Sequence, residues 1–85
     1  MDLEKIESEL KKIVGSLDKG IHFETLVEEK DEFHIFLSKG SHSDRASLSK
    51  ALVQDFIEQG KGGQDVRKAI GKIISKINRM AQRRI

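Results

Sequence analysis

Cysteine, proline, tyrosine and tryptophan are all absent from these 85 residues. Without cysteine there is no disulfide and no thiolate metal site, so a core has to come from packing alone. Without Tyr or Trp, the four phenylalanines are the only aromatic rings able to stack on a base or anchor an interface. Long apolar runs are missing too. No segment approaches the ~20 residues needed to cross a bilayer. The opening MDLEKIESEL is acidic and amphipathic, unlike a secretory leader. A cytoplasmic protein that does not enter membranes is the expectation.

What is present is charge and helical periodicity. Residues 1–40 hold ten acidic and six basic side chains, a net of −4, whereas residues 41–85 hold four acidic and ten basic, a net of +6. Residues 61–85 alone reach +7. A basic block of this kind attracts polyanions, or else faces the acidic half of its own chain or of a second copy. The length sets one domain over residues 1–85, and a chain this short buries only about 60–65% of its unfolded surface.

Leu3, Ile6, Leu10, Ile13, Val14 and Leu17 recur at three- and four-residue steps. They predict an amphipathic helix over 3–17 with its apolar residues on one face. Gly20, in DKG, is free to take a positive φ and end it. IHFETLV (21–27) and FHIFL (33–37) then alternate as the strands of a hairpin. The apolar pattern selects the register in which Phe23 faces Leu37, Thr25 faces Ile35 and Val27 faces Phe33. Ile21 shares that face. The other face carries His22, Glu24, Leu26, His34, Phe36 and Ser38. SKGSHS (38–43) reads as a polar loop, and a second helix is expected from near Asp44, capped by Ser43 or Asp44, to Gln59. GKGG (60–63) breaks the chain. A third helix comes next, with Val66, Ala69, Ile70, Ile73, Ile74, Ile77, Met80 and Ala81 as its stripe. The expected fold is α+β, in the order α-β-β-α-α, a two-stranded antiparallel hairpin packed against three helices.

The glycine loop invites a phosphate-binding reading, but the chemistry does not fit. A P-loop succeeds a strand and ends in Lys-Ser/Thr; here the glycines succeed a helix. A dinucleotide fingerprint fails as well, because Asp65 stands where the third glycine belongs and its carboxylate occupies the positive helix end. Gly60 as a helix C-terminal residue and Gly62–Gly63 as a turn explain the motif without a ligand. Set between two helices after a helix and two strands, GKGG also resembles the G-x-x-G loop of type II K-homology RNA-binding domains, which clamps the nucleic-acid backbone. The resemblance implies Gly60 and Gly63 as flanking glycines and Lys61 as a phosphate contact. It covers residues 21–80 in outline and four residues in motif. The chain departs from the family at Gln59, at Asp65 and in having no strand after the last helix.

Lys68, Lys72, Lys76, Arg79 and Arg83 step by four, four, three and four, so they line one side of the third helix. With Lys61 they are the candidate polyanion contacts. A solvated helix face is the plain alternative. His22, His34 and His42 with scattered carboxylates do not make a metal set. SLSK (47–50) matches S-x-x-K, but its companion motifs are missing and surface serines are the simpler reading. No catalytic triad, cofactor motif or small-molecule ligand is evident, so a non-enzymatic module is expected. The leading expectation is self-association as a homodimer, or binding of a protein partner, through open strand edges and the face carrying Leu26, His34 and Phe36. The alternative is nucleic-acid binding by the basic last helix.

Overall fold

The structure, a computed structural model, describes residues 3–82. The first helix, α1 (Leu3–Leu17), buries Ile6, Leu10, Ile13 and Val14, the inward members of the expected stripe. Its end is built differently from the expectation. Gly20 does not take a positive φ. Instead the Asp18 N–H donates to the Val14 carbonyl, and the Asp18 carboxylate accepts the Gly20 N–H at 2.8 Å, turning the chain into buried Ile21.

The sheet has three strands where two were expected. β1 (His22–Glu28), β2 (Glu32–Lys39) and β3 (His42–Ser49) form an antiparallel meander in the order β1-β2-β3. The residues read as a loop supply a two-residue turn, Gly40–Ser41, in which Gly40 has φ 62°. Glycine at the first position of such a turn is what the hairpin geometry favours. β3 buries Ala46 and Leu48 and exposes Ser43, Arg45, Ser47 and Ser49, a period of two. The second helix, α2 (Lys50–Gln59), therefore starts six residues later than Asp44. Its N-cap is Ser49, whose hydroxyl accepts the Leu52 N–H at 3.1 Å.

The expected β1–β2 register is right at one end only. Phe23 pairs with Leu37 as expected, but the ladder slips at Glu24, and beyond it Thr25 pairs with Phe36, Leu26 with Ile35 and Val27 with His34. A bulge adds one residue to β1 and swaps the faces of the residues from Thr25 to the end of the strand. Leu26 turns into the core and Val27 turns out, 37% exposed. The reason is visible in the side chains. Keeping strict alternation would have buried the Thr25 hydroxyl opposite Ile35 and left Leu26 outside.

The last helix, α3 (Gly63–Gln82), lies mainly on β3 and also touches β2, α1 and α2. Val66, Ile70, Ile74 and Ile77 join residues of α1, α2 and the sheet in one core of fifteen buried side chains, all apolar, among the described residues. The three helices share one face of the sheet. On the opposite face Thr25, Val27, Arg45 and Ser47 are exposed.

Candidate nucleic-acid interface

A helix advances 100° per residue, so inward Val66, Ile70 and Ile77 place Lys68, Lys72, Ser75 and Arg79 on the far side of α3. All four are exposed. Within Gly63–Gln82 there are five bases and one acid, Asp65 in the first turn. The side chains of Lys68, Lys72 and Arg79 make no ion pair or hydrogen bond with another described residue. α1 offers the contrast. Its Lys11 lies 3.7 Å from Glu7 and its Lys12 3.5 Å from Glu9, so charge on that helix is balanced locally. The outward face of α3 is a row of cations that form no ion pair with a described residue, with Asp65 at its N-terminal end, three residues before Lys68.

The expected basic set does not stay together. Lys76 leans to the flank, where its ammonium lies 3.0 Å from the Asp44 carboxylate of β3. The Arg45 N–H, which donates to Asp44 at 2.7 Å, and then Lys76 hold that carboxyl below the usual range. Lys61 is exposed in the α2–α3 connection, at the N-terminal end of α3. Arg83 lies outside the described residues. Arg67, which belonged to no candidate set, donates to the Ser16 hydroxyl of α1 at 3.1 Å.

On the other flank of α3, Asn78 joins three elements. Its amide donates to Asp18 at 2.9 Å, and its carbonyl oxygen accepts from Lys39 of β2 at 2.8 Å. The Asn78 hydrogen bond, then the Gly20 N–H, then Lys39 lower the Asp18 carboxyl below its ordinary value. These contacts hold α3 at a set rotation, so its outward row is a fixed feature of the fold.

The uncovered sheet face is the second candidate surface. Leu26 is not on it, a correction to the expected interface, because the bulge carries that side chain into the core. Phe36 is on it, half-buried on the central strand between Thr25 and Arg45. His34 sits nearby, its Nδ1 2.9 Å from the Ser47 hydroxyl. The Glu32 carboxylate lies 3.8 Å from Nε2, too far for a hydrogen bond. A serine, a histidine and an acid thus meet, but the acid does not hold the ring, and the group lies on an open surface. Arg45 and Thr25 were missed as neighbours of Phe36 because β3 and the bulge were missed.

The glycine loop closes α2. Gly60 has φ 69°, and its N–H and that of Lys61 donate to the carbonyls of the last helical turn, Phe56 and Asp55. Gly62 packs so near α2 that a Cβ there would lie 3.1 Å from Leu52. β3, standing between the hairpin and α2, is a further departure from the K-homology pattern. An open depression of about 850 Å³ lies between the β1–β2 turn and the start of α2. Its charges are mixed, and its Lys50 is engaged 2.8 Å from Glu28. Among the described residues no group of three or more His, Cys, Asp or Glu is placed to hold a metal ion, and no helix is long and apolar enough to cross a membrane. No protein-family model matches this chain, and no curated protein or solved structure matches it.

Proposed function

We propose that the protein is a small non-enzymatic module that binds nucleic acid through the outward face of α3. The observation that carries this reading is the row Lys68, Lys72 and Arg79, exposed and without an acidic partner among the described residues. Like charges at i,i+4 destabilise a helix by a few tenths of a kcal/mol per pair. Such a row gains a reason if a polyanion neutralises it on binding. Reversing the three charges together (Lys68→Glu, Lys72→Glu, Arg79→Glu) removes the attraction without touching the core. Fluorescence anisotropy with a labelled oligonucleotide at 50 mM salt is the test. Binding by the original chain and none by the triple variant supports the reading; equal binding by both overturns it. A cytoplasmic location is part of the same proposal.

Self-association through the open sheet face is the second reading, favoured by Phe36 at the centre of that face. Its weakness is area. Strands of seven or eight residues ~4.8 Å apart give a patch of about 14 by 25 Å, small beside the ~800 Å² of accessible surface that each partner of a standard interface buries. Without Leu26 the face has one large apolar side chain, Phe36, beside Val27 at its edge. Light scattering at high concentration separates the readings, because a dimer lost on Phe36→Asp restores the second.

A further inference from the structure

Which form of nucleic acid suits α3 can be argued from where the aromatic rings are. Proteins that hold single strands stack bases on aromatic side chains, a contact that every base can make. This chain has four rings and no Tyr or Trp. Phe33 is in the core, Phe23 and Phe56 pack against it, and Phe36 is on the opposite side of the sheet. None serves the outward face of α3, which offers ammonium and guanidinium groups and the Ser75 hydroxyl. A single strand laid there would have to be ordered with its bases unstacked. A duplex brings its bases already stacked and presents one charge per ~1.7 Å of axis.

The shape of the surface points the same way. Lys68 to Arg79 spans eleven helical steps, a straight rod of about 16 Å at 1.5 Å per residue. α3 is also held by the sheet and touches both α1 and α2, so its outward strip is the part left to a ligand. The outward residues Lys68, Lys72, Ser75 and Arg79 include no asparagine or glutamine to pair with adenine edges, and ammonium groups act on phosphate as point charges, so the strip suits the phosphate rails better than base edges. Resting on the polyanion reading above, we infer that the ligand is double-helical nucleic acid, gripped by its phosphates and without sequence preference.

The three cations of the row set the magnitude. With about 0.9 of a unit of salt slope per phosphate neutralised, log K should fall against log salt with a slope of about −2.7. That is a loss of about 40-fold between 50 and 200 mM salt. The experiment is anisotropy of the full chain with a fluorescein-labelled 20-base-pair DNA duplex, a second duplex of scrambled sequence and each strand alone. The expected result is equal binding to both duplexes, a several-fold weaker signal for either strand, and a slope about 0.9 shallower for Lys72→Gln. Single strands binding as tightly as duplex, or one duplex strongly preferred, overturns this inference and leaves the polyanion reading standing. No binding to any of the four at 50 mM salt removes both. A shift with polyglutamate but none with DNA hands the surface to an acidic protein and overturns both.

Discussion

Replacing Lys72 by glutamate should make the protein more stable while weakening its grip on nucleic acid. Lys72 stands four residues from Lys68 and four from Lys76, in the middle of α3, where the helix dipole has little reach. Each like-charge contact at i,i+4 disfavours the helix by about 0.2–0.5 kcal/mol, and an opposite pair favours it by a similar amount. Lys72→Glu exchanges two of the first kind for two of the second, while Lys and Glu have nearly equal helix propensity. The sum is about 1 kcal/mol in favour of the folded state at low salt, or roughly 4–8 °C in Tm for a domain of this size. The pair between Lys76 and Asp44 opposes part of it, since Lys76 is already neutralised at 3.0 Å. Thermal unfolding monitored by circular dichroism in 10 mM and 500 mM salt is the assay. The gain should shrink at high salt, where the screening length falls to a few ångström. A variant that is less stable than the original in 10 mM salt would show that Lys72 already has a compensating partner, and the row would lose its meaning.

The bulge in β1 gives a paired prediction. Leu26→Asp puts a carboxylate against the core and should destabilise by about 3 kcal/mol, whereas Val27→Asp should stay within about 1 kcal/mol, as read from urea midpoints. Equal losses would restore the unbulged register. Asp18 and Asp44 bind protons less readily folded than unfolded. Their contribution is complete above the ordinary carboxylate range and is lost as pH falls through their lowered values, below about pH 4. Asp18→Asn should therefore flatten the acid limb of a stability–pH curve measured between pH 2.5 and 6; an unchanged limb contradicts the Asn78 contact. Phe36→Ser should change stability by no more than about 1 kcal/mol, since its ring packs on no helix.

The helices were legible because isoleucine and leucine at three- and four-residue steps have one physical solution. Ile6, Leu10, Ile13 and Val14 in α1, and Val66, Ile70, Ile74 and Ile77 in α3, all went where periodicity put them. β3 was not legible for an equally physical reason. HSDRASLS has no β-branched or aromatic residue and only two core side chains, Ala46 and Leu48. Leu48 also fits a helical spacing with Ala51, Leu52 and Phe56, so the strand was absorbed into the helix after it. What makes it a strand is its neighbours, β2 on one side and α3 above, which local sequence does not display. The bulge left one hint, a threonine at a position that strict alternation would bury. On the candidate site, the sequence displayed a basic stripe but not which of its members were already paired. Lys76 meets Asp44, a residue expected to open a helix and found instead on a strand under α3.

The most direct test of the account is a titration of the ¹⁵N-labelled full chain with a short DNA duplex, read out as amide chemical shifts. Shift changes centred on Lys68, Lys72, Ser75 and Arg79, fading as salt is raised, are the predicted result. Changes centred on Phe36, Arg45 and Thr25 with α3 silent, or no changes at all at 50 mM salt, would contradict it.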